Sequence, residues 1–366
     1  MLQCMPSMHP RRRHLDNARL VVDLAKIEEN ARAVVSMLDG IRVIGVTKCL
    51  AGAPEVARAM LSGGVVAIGE SRHLSGKRLR DGGVEAPLWL LRMPTPGQSF
   101  ATVRLFDVSL ATQIETCTAL DAAARELGVP HKVIVMVELG DLREGVMPRD
   151  VPAFVSAVEA LEHIELLGLG ANLTCYGAIS PDEHNMGELI ALTRSMERRI
   201  GRRLQISGGN SSAIPLVLSG GMPPGIDTLR VGESITHGMN TLTRWPLTGL
   251  HTDAFVLEAP VVETRMKPSL PYGGKAQTAW GDKPVFVDRG VRRRVICALG
   301  RQDCRVEGLT PVDPRIYVLG ASSDHLVLDV EGMIDPPLPG EALQFRPDYV
   351  ATVQLATSPF VEKVFV

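Results

Sequence analysis

The sequence lacks the features that would assign it to a membrane or to a nucleic acid. No apolar run among the 366 residues approaches the roughly 18–20 that a membrane-spanning helix needs. The net charge is −2, and the arginine run at 11–13 is the only basic cluster, so no nucleic-acid-binding surface is indicated. No apolar segment follows those arginines, which argues against a secretory signal. We therefore expect a cytoplasmic protein that binds neither membranes nor nucleic acids.

The sequence also lacks the spacings that bind metals or mark redox motifs. Its six cysteines form no C-x-x-C pair and no zinc-binding pattern, which fits a reducing compartment. Several histidines show no paired spacing at strand ends, so a barrel metalloenzyme is not favoured and we expect no metal. The cysteines are Cys4, Cys49, Cys117, Cys175, Cys297 and Cys304, and the histidines considered as ligands, four of the nine, are His163, His184, His237 and His251.

From about residue 40 to residue 250, short apolar runs alternate with helical patterns. This alternation indicates βαβ units, and eight of them in this length predict a closed (β/α)₈ barrel. The alternative is an open doubly wound sheet, which would usually have a G-x-G-x-x-G turn after an early strand. The first turn here reads Val46-Thr47-Lys48-Cys49 instead. The predicted strands are Val43–Val46, Val65–Ile68, Leu88–Leu91, Phe106–Leu110, Val133–Val137, Ile164–Leu169, Leu204–Ser207 and Thr228–Val231, and the helices include Pro54–Leu61, Ile114–Leu127, Val151–Leu161 and Glu183–Ile200.

After Leu250 the pattern changes to short β-rich runs separated by Gly, Pro and Asp. No long helical period appears there, so we predict a separate all-β domain. The domain boundaries follow as an N-terminal extension over 1–17, a barrel over 18–250 and a β domain over 251–366. The predicted strands of this domain are Ala254–Leu257, Val285–Val287, Arg294–Ala298, Ile316–Leu319 and Leu326–Val330.

Three strand ends of the barrel bear residues suited to chemistry, because active sites of barrels lie where the strands end. Lys48 directly follows the first strand and suits a Schiff-base lysine, although a solvated lysine is the alternative. The seventh unit ends in Ser207-Gly208-Gly209-Asn210-Ser211-Ser212, either an anion site or a plain glycine-rich turn. The eighth unit supplies Arg230, which points into the barrel, or else forms a structural ion pair.

These pieces, in this order, resemble the alanine-racemase-type (fold type III) enzymes, which use pyridoxal 5'-phosphate (PLP). Within that group the chain is most similar to the ornithine racemase branch, and the similarity runs from about Ala18 to the C-terminus. The matching stretches are VTKCLAGAPEVARAM (46–60), GESRHLSGKRLRD (69–81), VMVELGDLREGV (135–146), GLGANLTCYG (168–177), ISGGNSSA (206–213), LRVGESI (229–235), DKPVFVDRGVRRRVICALGRQD (282–303) and LGASSDHLVLDV (319–330).

The resemblance implies a role for each of these residues. Lys48 would anchor PLP and act as one of two catalytic bases, and Arg230 would face the pyridine nitrogen. Arg143 would lie near the phenolate oxygen of the cofactor, and Asn172 stands where alanine racemases have a histidine against the ring. The phosphate would be held by Ser211 or Ser212 together with Gly232, Glu233 and Ser234.

Racemisation needs an acid–base group on each face of the planar carbanion. In alanine racemases the second base is a tyrosine from the β domain of the partner subunit, and Tyr272 is the candidate here; an ordinary loop tyrosine is the alternative. The turn at Ser322, Ser323 and Asp324 matches the loop that enters the partner's active site, where it could receive the substrate carboxylate. A head-to-tail homodimer follows from this resemblance.

The same resemblance implies a basic substrate such as ornithine. A buried substrate cation would need a carboxylate, and Glu138, Asp141 or Glu144 could supply it, with Asp141 as the main candidate. These side chains could equally be solvated charges or partners of Arg143. Two other functions share the fold type: a non-catalytic PLP-binding protein of cofactor homeostasis, which lacks a β domain, and a D-amino-acid dehydratase or aldolase, which has a C-terminal metal pair absent here.

Overall fold

The computed structural model describes residues 12–281 and 283–366, which form two compact units. One unit is residues 23–254, and the other joins the stretch ending at Val22 to Phe255–Val366. Most of the predicted N-terminal extension, residues 1–17, lies outside the described residues. Within the described ranges, no helix is both long enough and apolar enough to cross a membrane. Strand β1 (Arg19–Val22) comes first in the chain.

Eight parallel strands of the first unit close into a barrel, which confirms the predicted architecture. The closing contact pairs the first barrel strand with the last, with Val43 opposite Leu229 and Ile44 opposite Arg230. The barrel strands are β2 (Arg42–Val46), β3 (Ala67–Glu70), β4 (Leu88–Leu90), β5 (Val108–Ala111), β6 (His131–Met136), β7 (Ile164–Gly170), β8 (Gln205–Asn210) and β9 (Thr228–Val231). The helices are α1 (Leu24–Met37), α2 (Pro54–Ser62), α3 (His73–Asp81), α4 (Ser99–Leu105), α5 (Ile114–Leu127), α6 (Val151–Glu159), α7 (Glu183–Ile200), α8 (Ile214–Leu218) and α9 (Glu233–His237).

The barrel strands are recognisable in the sequence because strands covered on both faces are almost continuously apolar. Several predicted barrel boundaries were wrong by two or three residues, including the starts of β3, β5 and β6 and the end of β8. Strand β3 begins at Ala67 rather than Val65, and Val66 before it is exposed. Strand β5 begins at Val108 rather than Phe106, because Phe106 ends helix α4 and its ring packs edge-on against His73.

The second unit is a largely antiparallel sheet, which confirms the predicted strand-rich domain. Besides β1, its elements are β10 (Phe255–Pro268), β11 (Val291–Ala298), β12 (Leu309–Pro311), β13 (Tyr317–Ala321), β14 (His325–Asp329), β15 (Ala342–Pro347), α10 (Tyr349–Thr357) and β16 (Glu362–Phe365). The main strand order is β12-β15-β10-β11-β14-β13. Strand β1 also pairs with β10, and β16 pairs with β1 in parallel.

Three details of this unit differ from the sequence-based prediction. The residues of β1, which the prediction placed at the start of the barrel, pair with β10, with Leu20 opposite Leu257. The predicted strand Val285–Val287 is not a strand, because these residues lie exposed in the connection between β10 and β11. The unit also contains helix α10, which begins where the Asp348 side chain accepts a hydrogen bond from the amide of Ala351 at 2.8 Å.

A buried histidine makes the stability of the barrel sensitive to acid. His131, at the start of β6, is 1% exposed, and its Nε2 lies 2.9 Å from Oγ of Ser109. Burial lowers the pKa of His131 from 6.5 to about 4. The unfolded chain therefore binds an extra proton as the pH falls from 6.5 to about 4, and stability on the order of 3 kcal/mol is lost across that window.

We expect His131→Gln, which keeps a polar partner for Ser109 but does not titrate, to remove this loss. Urea unfolding at about pH 7 and about pH 4.5 measures it as a smaller drop in the free energy of unfolding than in the unmodified protein. His184→Gln is the matched control, because His184 is exposed. Equal acid sensitivity in the His131 variant and the unmodified protein would contradict the assignment.

Candidate active site

Lys48 lies at the rim of the barrel formed by the C-terminal ends of the strands. It follows β2 by two residues and begins a short 3₁₀ turn (Lys48–Leu50), and its side chain is exposed. The preceding Thr47 is fully buried, and its amide donates to the carbonyl of Gly69 on β3 at 3.3 Å. The turn therefore holds the backbone firmly while leaving the Lys48 amine accessible to a ligand.

Arg230 on β9 is a buried guanidinium held by neutral oxygens. It is 4% exposed, and it donates to Oγ of Ser207 and, at 2.6 Å, to the carbonyl of Ala171. Burial lowers the pKa of Arg230 to about 10, so the side chain remains charged at neutral pH. Two hydrogen bonds leave donor capacity unused, because a guanidinium has five N–H groups.

The ends of β8 and β9 meet in a cluster that we call the serine turn, formed by Ser211, Ser212, Gly232 and Ser234. Oγ of Ser211 accepts hydrogen bonds from the amides of Gly232 at 3.3 Å and Ser234 at 3.4 Å. Oγ of Ser234 donates to the carbonyl of Met239, whereas Oγ of Ser212 is buried without a hydrogen-bond partner among the described residues. In the serine turn, the side chains of Ser211 and Ser234 are thus fixed by hydrogen bonds, whereas the hydroxyl of Ser212 is left uncommitted, that is, without a partner among the described residues.

Gly232 brings the serine turn next to the strand that leads to Lys48. A Cβ atom on Gly232 would lie 3.2 Å from Cβ of Val46 and 3.3 Å from its carbonyl oxygen. Val46 is two residues before Lys48, so the lysine turn and the serine turn are neighbours on the rim. This is the juxtaposition that the sequence predicts.

Asn210 links the serine turn to the end of β7. Its Nδ2 donates to Oδ1 of Asn172 at 3.1 Å and to the carbonyl of Leu173 at 2.9 Å, and its Oδ1 accepts from the amide of Ser212 at 2.8 Å. Nδ2 of Asn172 is buried without a partner within the described part of the chain. A second uncommitted donor therefore lies on this side of the rim.

The acidic residues after β6 all have partners. Glu138 accepts from the amides of Gly140 at 2.6 Å and Leu142 at 2.9 Å, and Glu144 pairs with Arg143. Asp141 is 1% exposed, and its two oxygens accept from the amides of the loop after β7. Asp141 therefore joins two rim loops. The loop amides are those of Tyr176, at 3.1 Å, and Gly177, at 2.9 Å.

Other predicted site residues lie away from these contacts. Glu233, next to Gly232, forms an ion pair with Arg244. In the second unit, Tyr272 is 91% exposed in the connection between β10 and β11. Ser322–Asp324 form the turn between β13 and β14, where the amide of Ser322 donates to the carbonyl of His325 at 2.9 Å. The Asp324 carboxylate lies 2.7 Å from Nδ1 of His325.

Several residues that shape the rim were not predicted from the sequence to be part of the site. Asn210 and Ser207 lie within the glycine–serine stretch, but only the fold shows that their side chains contact Asn172 and Arg230. Glu70, at the end of β3, accepts a hydrogen bond from the hydroxyl of Thr47 at 2.7 Å. An acidic residue at the end of a barrel strand, in the stretch GESR, was the available signal.

Comparisons with known proteins agree with this geometry. A family model described as "Alanine racemase, N-terminal domain" matches residues 22–239. The chain is 39% identical over 353 residues to lysine racemase of Thermotoga maritima, covering 95% of this chain and 98% of that protein. It is 36% identical over 349 residues to ornithine racemase of Acetoanaerobium sticklandii, covering 94% of this chain and 98% of that protein.

Solved structures match the fold over almost the whole chain. Alanine racemase from D-cycloserine producing Streptomyces lavendulae superposes with a TM-score of 0.74 at 17% identity, covering 96% of this chain and 97% of that one. Alanine racemase from Bartonella henselae, with covalently bound pyridoxal phosphate, superposes with a TM-score of 0.73 at 15% identity, covering 96% of this chain and 100% of that one. At these identities the likeness establishes the shared fold.

The two adjacent serines of the serine turn should respond differently to removal of their hydroxyls. Ser212→Ala deletes a buried hydroxyl without a protein partner, so we expect unchanged or higher thermal stability but weaker binding of PLP. Ser211→Ala, the matched control, deletes the acceptor of two amides and should lower the melting temperature. Melting curves with and without PLP distinguish them, and a large stability loss in Ser212→Ala would show that its hydroxyl has a structural task.

Proposed function

This chain belongs to the alanine racemase family, and from that premise we propose that it is a PLP-dependent racemase of a basic amino acid. The observation on which the proposal depends is that Lys48, Arg230 and the serine turn occupy neighbouring strand ends of one barrel rim. The relatives of 39% and 36% identity, a lysine racemase and an ornithine racemase, support the choice of substrate class.

The residues present fit PLP. The uncommitted hydroxyl of Ser212 and the amides of the Gly232 region would hold its phosphate, assisted by Ser211 and Ser234. The close approach of Gly232 to Val46 leaves little room for a side chain, and without one the backbone there stays open to a ligand. Lys48 would hold the cofactor covalently, and the Nδ2 donor of Asn172 would face the ring.

Each protein group then has a task in proton transfer. Bound PLP makes the α-proton of an amino acid labile by delocalising the charge left on the carbon. Lys48 would remove or return that proton on one face. Arg230 would donate a hydrogen bond to the ring nitrogen without giving up its proton, because a guanidinium remains charged at neutral pH. Because the ring nitrogen would then stay unprotonated, return of the proton to the α-carbon would be favoured over side reactions. Arg143 and Glu144 would order the rim beside the phenolate oxygen.

The opposite face needs a second base, for which Tyr272 remains the candidate. Its exposure on the second unit is compatible with service to another subunit in a head-to-tail homodimer. Large apolar side chains are also exposed on both units, as expected for surfaces that a partner covers. They include Leu142, Tyr176 and Trp245 on the barrel and Val285, Val287 and Ile334 on the second unit. The turn at Ser322, Ser323 and Asp324 would contact the substrate carboxylate from the partner.

We infer a positioning task for Asp141, for which the sequence predicts contact with the substrate cation. Both oxygens of Asp141 already accept hydrogen bonds from the loop after β7. A substrate ammonium group could approach this carboxylate only by sharing those acceptors, since each oxygen has a second lone pair. We propose that Asp141 fixes the loop and adds negative charge behind it, which would favour a cationic side chain at the rim.

A deuterium-exchange experiment tests the reaction and substrate together. The purified protein with PLP in deuterium oxide should incorporate deuterium at the α-carbon of lysine or ornithine with inversion, and do so far less with neutral amino acids. Lys48→Ala should lose both this activity and the visible absorbance of lysine-bound PLP. Exchange that persists in Lys48→Ala at the original rate, or a preference for neutral amino acids, would refute the assignment.

Subunit complementation tests whether Tyr272 acts across a dimer. Lys48→Ala and Tyr272→Phe should each be impaired, but a mixed dimer contains one site with both residues intact if Tyr272 comes from the partner. Random mixing should therefore restore about one quarter of the unmodified activity per subunit pair. No gain above the mean of the separate variants would place both bases in one chain or remove Tyr272 from the mechanism. Mixing Lys48→Ala with the double variant is the control and should restore nothing.

A further inference from the structure

Glu70 is a buried acidic residue to which the proposed mechanism assigns no task. It ends strand β3 at the catalytic rim and is 1% exposed. A carboxylate in this position is costly unless its oxygens are hydrogen-bonded or a positive charge is near. The fold must therefore compensate for it at this point.

The donors around Glu70 all come from the lysine turn or from the start of the next helix. The hydroxyl of Thr47 donates to Oε1 at 2.7 Å, and the amide of Ser71 donates to Oε2 at 3.1 Å. The pKa of Glu70 is raised, because burial outweighs these hydrogen bonds and the positive charge of Lys48, which lower it.

Thr47 connects this carboxylate to the backbone of the lysine turn. Its carbonyl accepts from the amide of Leu50 at 2.9 Å, so Thr47 is the residue from which the turn starts. The carbonyl of Lys48 accepts from the amide of Ala51 at 3.2 Å, where φ is +51°. Thr47 is fully buried, and Glu70 holds its side chain on the face turned to β3.

We propose that Glu70 is a positioning residue for Lys48, because it fixes the lysine turn through its hydrogen bond with Thr47. This inference rests on the proposed role of Lys48 as cofactor anchor and base. A small displacement of a catalytic base can cost a large factor in rate, so the contact should matter although Glu70 touches no substrate.

Two variants break this hydrogen bond from opposite sides in the PLP-loaded protein. Glu70→Met removes the acceptor while keeping a side chain of similar length, whereas Thr47→Val keeps the shape but removes the hydroxyl. We expect kcat to fall roughly 10–100-fold in each with KM nearly unchanged, because an imprecisely placed base weakens the chemical step more than binding. Thr47→Ser, which restores the hydroxyl, should recover most of the rate.

Rescue by conservative variants distinguishes this role from simple support of the fold. Glu70→Gln keeps an oxygen for the Thr47 hydroxyl and should, like Thr47→Ser, retain most of the rate. An unchanged kcat in both Glu70→Met and Thr47→Val would overturn the proposal, and so would a loss of kcat in Glu70→Gln and Thr47→Ser as large as in those two variants. If Glu70→Met does not fold, an unmodified kcat in Thr47→Val overturns it instead.

Failure of the proposed function would look different. In that case the unmodified protein would show no visible absorbance of lysine-bound PLP, or Lys48→Ala would keep the activity. The unmodified protein could instead show the absorbance of lysine-bound PLP, and Lys48→Ala could lose the activity. If the Glu70 and Thr47 variants then behave as the unmodified protein does, only the positioning role is contradicted.

Discussion

Closure of the parallel barrel between β9 and β2 is the constraint on which the candidate site depends. The pairing of Ile44 with Arg230 places the last barrel strand beside the first, although the other six barrel strands lie between them in sequence. Only this closure brings Gly232 against Val46 and so sets the serine turn beside Lys48. An open sheet would leave the lysine at one edge and the arginine at another.

The rim concentrates buried charge, and each charge is compensated in a different way. Arg230 is held by neutral oxygens, which leaves its positive charge and some of its donors available to a ligand. Asp141 is held by backbone amides, and Glu70 by the hydroxyl of Thr47 and the amide of Ser71. A buried carboxylate paired with Arg230 would have compensated its charge in the absence of a ligand, but it would also have neutralised the positive charge that the proposed chemistry needs.

Much of the fold could be predicted from the sequence, because each barrel strand is a short apolar run between turn residues. The positions of Lys48, Arg230 and the serine turn could also be predicted, since each lies at or near the end of a barrel strand. The contacts between elements far apart in sequence could not be predicted. Strand β1 joins the second sheet because it pairs with β10, although the whole barrel lies between these two strands in sequence. The link from Glu70 to Thr47 depends on neighbouring strands, and hydrophobic periodicity does not report side-chain contacts across strands.

The partnered acidic residues also bear on how a racemase could select a basic substrate. Glu138, Asp141 and Glu144 all lie after β6, and each already binds a backbone amide or an arginine. A free carboxylate would bind an ammonium group strongly but would also leave a buried charge uncompensated whenever the site lacked substrate. Carboxylates braced by amides avoid that cost and still contribute negative potential at the rim. Selectivity of this kind acts through the field of several groups, so it would favour cationic side chains as a class rather than one chain length.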